Sequence, residues 1–289
     1  MSLLRPVNGA MAGAAVLVGA VAAVALAESD GASGVVAGPV QWWPAILCAL
    51  SAFAASGASN ALNDAIDVES DRLNRPLRPV PSGAVSPRAA GVLAVALYAA
   101  GALLAVPAGL AAVVLVLSWV VLTALYSLVL EGVPLVGNMV VAAVAASPLV
   151  LGGLSQRKTP GGLLLLFGLA ALLHLARELY KDAEDAEGDR MAGVATLAVR
   201  APVAALGLGR WLLVLSMAAA FVPYAAGLMG TLYLALLAPI EGLLAWLVVV
   251  SFRDAARGRA ERGPAGVPDR LKIVMALGLV AFLVGPLLR

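Results

Sequence analysis

Nine stretches of roughly twenty apolar residues run through this chain, centred near residues 9–27, 44–63, 88–106, 108–128, 134–151, 162–181, 203–228, 231–251 and 271–288. About 20 helical residues span the ~30 Å hydrocarbon core of a bilayer, so each stretch reads as a membrane helix. At 62% hydrophobic and 12% charged, against ~45–50% and ~25% in soluble domains, the chain leaves no polar stretch long enough for a separate soluble domain. The reading is an all-α integral membrane protein: a single domain over residues 1–289, folded as a bundle of nine transmembrane helices. Ala and Gly recur in these segments and allow neighbouring backbones to approach closely. The third and fourth segments are divided only by Pro107 and Gly109, read as a tight turn because an unbroken run from 88 to 128 is too long to cross once. The first segment exceeds the ~7–15-residue apolar core of a signal peptide and is read as a helix. Cys48 is the single cysteine, which excludes an internal disulfide.

With nine crossings and the N-terminus inside, all but three of the 19 basic residues fall at or near the cytoplasmic face. The exceptions are Arg157, Lys158 and Arg289. Short loops rich in Lys and Arg stay cytoplasmic, so this orientation is the expected one: a multi-pass protein of the cell membrane.

The polar residues are concentrated at two helix ends. In NALNDAIDVESD, Asn60, Asp64, Asp67 and Asp71 stand at offsets 0, +4, +7 and +11, and a helix turning about 100° per residue puts them on one stripe. In RELYKDAEDAEGDR, Glu178, Asp182, Asp185 and Asp189 repeat the same offsets. The second and sixth segments leave the membrane on the same side, so the stripes are expected to face one another across a cytoplasmic-facing cavity. A solvated helix end is the plain alternative for either cluster. Against it, carboxylates at a helix C-terminus oppose the macrodipole, and two facing acidic stripes repel unless cations bridge them. Oxygen donors without His or Cys point to a hard ion, Mg²⁺ or Ca²⁺. Mg²⁺ characteristically takes one or two carboxylates plus substrate phosphates, which suits two acidic faces closing on a diphosphate. Arg72, Arg75 and Arg78 follow the first stripe among prolines, and Lys181 and Arg190 flank the second. Arginine's planar fork suits phosphate oxygens, so these are candidate diphosphate contacts, with positive-inside topology as their plainer explanation.

On these residues the chain resembles the UbiA superfamily of intramembrane prenyltransferases: NDAIDVESD at 63–71 and DAEDAEGD at 182–189 are similar to its two Asp-rich motifs. The resemblance spans the nine-helix layout. It implies a bundle in which Mg²⁺, held by Asn60, Asp64, Asp71, Glu178, Asp185 and Asp189, binds a polyprenyl diphosphate whose chain lies in an apolar tunnel. Three stretches, LRPVNGAMA, LYSLVLEGVPLVGNMVVA and RELYKDAEDAEGDRMAGVATL, are similar to the branch that makes archaeal ether lipids. That likeness implies transfer from geranylgeranyl diphosphate to the hydroxyl of geranylgeranylglyceryl phosphate, with Asn8, Tyr126 and Asn138 as further substrate contacts. Glu131 departs from the pattern, standing where related sequences tend to have Lys.

The chemistry expected is loss of diphosphate from an allylic carbon, assisted by metal and cationic side chains. Attack by an acceptor hydroxyl follows, with Asp67 or Asp182 taking its proton and Lys181 assisting. The partners expected are the diphosphate donor, a lipid or aromatic acceptor and membrane lipids, with no nucleic acid and no obligate protein. His174 is read as a packing or hydrogen-bonding residue rather than a ligand, and Glu241 as lining the cavity or pairing with a basic residue inside the bundle. Two rivals stand beside this reading: an aromatic acceptor of quinone, haem or chlorophyll-type biosynthesis, and an ion-coupled transporter, whose sites lie nearer the midplane than these helix-end clusters.

Overall fold

A computed structural model describes residues 3–27, 38–130, 132–261 and 263–288, and among these it is helical, without strands. The helices are α1 (Pro6–Ala27), α2 (Trp42–Ile66), α3 (Val68–Asn74), α4 (Pro87–Ala105), α5 (Leu110–Leu125), α6 (Val136–Ala146), α7 (Pro148–Ser155), α8 (Gly161–Met191), α9 (Leu197–Arg200), α10 (Pro202–Ala219), α11 (Val222–Ala225), α12 (Thr231–Asp254) and α13 (Val267–Val284). Each of the nine apolar segments is helical. Eight of the helical spans are long and apolar enough to cross a membrane. The last, α13, is long enough but opens with Asp269, Arg270 and Lys272, so its crossing does not follow from length and apolarity alone. A one-turn 3-10 helix, Val106–Ala108, separates α4 from α5, as Pro107 and Gly109 suggest. Proline breaks the fifth segment into α6 and α7 at Pro148.

Two large apolar cores hold the bundle, with a smaller cluster around Ala15, Val18 and Leu149. An alanine-rich one joins α1, α2, α4, α5 and α7 around Ala52, Ala55, Ala58, Tyr98, Val116 and Trp119. A leucine-rich one joins α1, α8, α10, α12 and α13 around Leu166, Leu179, Leu213, Tyr233 and Leu271. The tightest crossing is between α1 and α7: a Cβ on Gly19 would lie 2.1 Å from the Leu149 carbonyl oxygen, and one on Gly152 would lie 2.1 Å from that of Val16. Lipid exerts no hydrophobic drive between helices, so such backbone-to-backbone approach, with polar side-chain bonds, carries their association. The bonds include Ser51 Oγ to the Gly101 carbonyl at 2.7 Å and Trp119 Nε1 to Ser147 Oγ at 2.7 Å.

The length of α8 places the second acidic stripe. Its 31 residues rise roughly 46 Å at 1.5 Å each, well beyond a ~30 Å hydrocarbon layer, so one end must emerge. Charge selects the end carrying Glu178 to Arg190.

Candidate active site

The two acidic helix ends meet. Asn74, the last residue of α3, donates its amide to Asp189 at 3.2 Å, and Arg75 donates to both oxygens of Asp185 at 2.8 and 2.9 Å. Close approach at this point depends on Gly188, where a Cβ would lie 2.0 Å from Asn74 Oδ1. The first stripe is not one continuous helix, however. Asp67 interrupts it between α2 and α3 with φ −86° and ψ 25°, half-buried at the break, while Asp64 and Asp71 on either side are buried.

Arginines reach the first stripe from outside it. Arg5, just before α1, pairs with Asp64 and donates to Asn60 at 3.0 Å. Arg78 donates to Asp71 at 2.6 Å and to Asp64 at 3.3 Å. Burial lowers the Arg5 pKa from its ordinary value, and the charge of Arg78 adds to that while Asp64 and Asp71 oppose it. For Arg75, burial acts in the same direction but is outweighed by the hydrogen bond and charge of Asp185, so its pKa is raised. Guanidinium groups of the chain itself therefore offset carboxylates of both stripes, Arg5 and Arg78 at Asp64 and Asp71 and Arg75 at Asp185.

The second stripe is held differently. Asp182 accepts from the Asn138 amide at 2.7 Å, joining α6 to α8, and Glu178 pairs with Arg177 and with Lys181 at 3.6 Å. Arg72 and Arg190 join neither cluster: they pair with Glu69 at 2.8 Å and Glu187 at 3.5 Å on exposed helix surfaces.

Between the two apolar cores lies a cavity of about 380 Å³ whose lining includes Asn8, Asn60, Tyr126, Glu178 and Lys181. The lining also includes Asn63, which opens the first motif, and Arg177 and Lys272, which the sequence reading did not single out. Asn63 accepts from Ser127 at 2.8 Å. Arg177 had a legible cue, standing one turn before Lys181 on the same helix face; Lys272 had none. His174 also lines the cavity. Glu241 does neither of the things expected of it: it is not among the lining residues, and its Oε1 is buried without a hydrogen-bond partner. Glu131 lies outside the described residues.

Residues 16–264 match the UbiA prenyltransferase family. The chain belongs to that family. It is therefore a multi-pass membrane prenyltransferase, and its helical path is similar to those of solved relatives. A structure concerned with digeranylgeranylglyceryl phosphate synthase in membranes superposes with TM-score 0.73 at 25% identity, covering 98% of this chain and 96% of that one. A UbiA homologue from Archaeoglobus fulgidus, bound to GPP and Mg²⁺, superposes with TM-score 0.66 at 20% identity over 97% of this chain and 98% of the other. Among sequences, the digeranylgeranylglyceryl phosphate synthase of Methanopyrus kandleri is 37% identical over 98% of this chain and 97% of its own length. That of Natronomonas pharaonis is 34% identical over 99% and 96%.

The residues present fit a divalent cation. Asp64 Oδ2 is a buried carboxylate oxygen without a hydrogen-bond partner, a costly state for a charged group that a cation relieves. Among the described residues no three His, Cys, Asp or Glu side chains converge as a ready-made cage. Mg²⁺ does not require one, since substrate phosphates and water complete its octahedron.

Proposed function

We propose that the enzyme transfers a geranylgeranyl group from geranylgeranyl diphosphate to the hydroxyl of geranylgeranylglyceryl phosphate, with Mg²⁺ as cofactor. The observation that carries this reading is the junction of the two acidic helix ends beside a largely apolar cavity with a cationic mouth, in a chain similar end to end to digeranylgeranylglyceryl phosphate synthases. Asp64 and Asp71 on one side and Asp185 and Asp189 on the other are the residues that would hold Mg²⁺, with Asn60 and Glu178 at their cavity-side ends. When bound, the ion acts as a Lewis acid that offsets charge developing on the departing diphosphate.

The chain's own groups do the rest. Arg5, Arg75 and Arg78 exchange carboxylate partners for phosphate oxygens, which their planar forks match equally well. The alanine- and leucine-lined cavity takes the prenyl chain and excludes water, keeping an allylic centre with cationic character from capture. Asn8 and Tyr126 line the space next to the mouth and contact the reacting groups. Asp182 accepts the hydroxyl proton: its recorded partner is the neutral Asn138 amide, whereas Glu178 is tied to two cations, and Lys181 beside it offsets its charge. Asp67, at the helix break, is the second carboxylate able to serve. The joined motifs face the cytoplasm, as the distribution of Lys and Arg supports, and all nine long helical segments cross within one domain.

The test is incubation of purified protein with labelled geranylgeranyl diphosphate and a mixture of acceptors, read by mass spectrometry, with and without exhaustive chelation. A diether phosphate formed only with divalent cation present is expected. A prenylated hydroxybenzoate or naphthoate in its place overturns the acceptor, and undiminished turnover after chelation overturns the metal.

A further inference from the structure

The lining of the cavity carries four basic side chains, Arg5, Arg177, Lys181 and Lys272, against one carboxylate, Glu178. Such a surplus in an apolar, partly enclosed space is unfavourable without an anion to offset it. The acidic motifs offset part of it, since Arg5 pairs with Asp64 and Arg177 and Lys181 share Glu178, but one carboxylate between two cations on α8 leaves a positive excess facing the cavity.

The four cations divide by position. Arg5 belongs to the first motif, where it pairs with Asp64 and Asn60. The other three lie on α8 and α13, which pack against each other. Arg177 and Lys181 are one turn apart on α8 and share Glu178. Lys272 projects from the first turns of α13 and is held at 2.9 Å by Asp269, whose side chain is 80% exposed. A surface pair of that kind is weak, and it leaves the ammonium available to a better-placed anion in the cavity.

We infer that Arg177 and Lys272, with Lys181 beside them, form a second anion subsite that recognises the phosphate of the acceptor lipid, separate from the motif residues that engage the donor's diphosphate. It rests on the proposed reaction for the identity of the ligand, and it adds the residues that distinguish a phosphorylated acceptor from a neutral one. Two guanidinium or ammonium groups on adjacent helices hold the head group at the cavity mouth. The glycerol hydroxyl is then directed toward the joined motifs while the prenyl chain follows the apolar lining.

Equilibrium binding and steady-state kinetics of the full-length enzyme in detergent test this, using geranylgeranylglyceryl phosphate and the phosphate-free geranylgeranylglycerol as acceptors. Arg177→Gln and Lys272→Gln are each expected to raise the Kd and KM of the phosphorylated acceptor about tenfold to a hundredfold, the loss of one charge-assisted hydrogen bond. The donor KM and the affinity for the phosphate-free acceptor stay within about twofold, and Arg177→Lys recovers part of the loss. If Arg177→Gln does not fold, Lys272→Gln carries the same test, since its partner is a surface carboxylate. An equal rise in donor KM, or an unchanged Kd for the phosphorylated acceptor, overturns the subsite. Wild-type enzyme that binds the phosphorylated lipid in a Lys272-dependent way yet never prenylates it supports the subsite and overturns the proposed reaction.

Discussion

The two acidic helix ends share one spacing and have different physics. On α2 and α3 the helix breaks at Asp67, and the carboxylates are held by arginines that come from elsewhere: Arg5 from the start of the chain and Arg78 from the following loop. On α8 the helix runs unbroken through its motif. There Asp182 and Asp189 are held by amides, from Asn138 and Asn74, and Glu178 by its own helix neighbours. The lesson is that a repeated offset fixes where carboxylates stand but not what neutralises them. The first motif is set in place by arginines from elsewhere in the chain, whereas the second adds a rigid helix and neutral donors to a single such pair, Arg75 with Asp185.

The severest way to break the comparison is to remove a carboxylate from each side. Asp64→Ala and Asp189→Ala are both expected to reduce prenyl transfer more than about a hundredfold, since even outer-shell partners of a metal are worth ~10–100-fold, while detergent-purified protein keeps its helical circular dichroism. Near-normal turnover in either variant would return that motif to a solvated helix end. Next is the contact that joins the motifs. In Gly188→Ala the new methyl would overlap Asn74, forcing α3 away from α8; misplacement by about 1 Å costs on the order of a hundredfold in rate, and a second change, Asn74→Ala, should restore part of it.

Stability separates the two motifs more directly. Arg78→Met strips a cation from Asp64 and Asp71, both buried, and breaking such a pair costs about 3–5 kcal/mol. Asn138→Leu removes only a neutral donor from Asp182, a loss of about 1–3 kcal/mol. Unfolding in detergent should rank the two in that order, and the reverse ranking would dissolve the distinction between the charge-held Asp64 and Asp71 and the amide-held Asp182. The smallest effects belong to Arg72→Gln and Arg190→Gln. Their exposed pairs with Glu69 and Glu187 predict activity within about twofold of wild type and stability within ~0.5 kcal/mol.

Much of this was legible in advance because apolar length and helical spacing are local properties. The nine segments, the turn at Pro107, and the meeting of the two motifs on one side all follow from counting residues. The pairings did not. Arg5 and Asp64 are 59 positions apart, and Arg75 and Asp185 are 110 apart; no periodicity encodes which arginine folds back onto which carboxylate. Arg72, Arg75 and Arg78 look equivalent in sequence, yet the break at Asp67 and the turn after α3 send two of them inward and leave Arg72 on the surface. Lys272 was invisible for the same reason, since its relevance depends on α13 packing against α8.

The notch between α1 and α7 bears on how the protein is made. Gly19 and Leu149 touch backbone to backbone, but they are about 130 residues apart, so at ~5–20 residues per second of synthesis α1 waits on the order of ten seconds in the bilayer before the surface it fits exists. During that interval its small-residue face has α2 as its neighbour and no final partner. Correct assembly thus depends on elongation outpacing any competing helix that reaches the notch first.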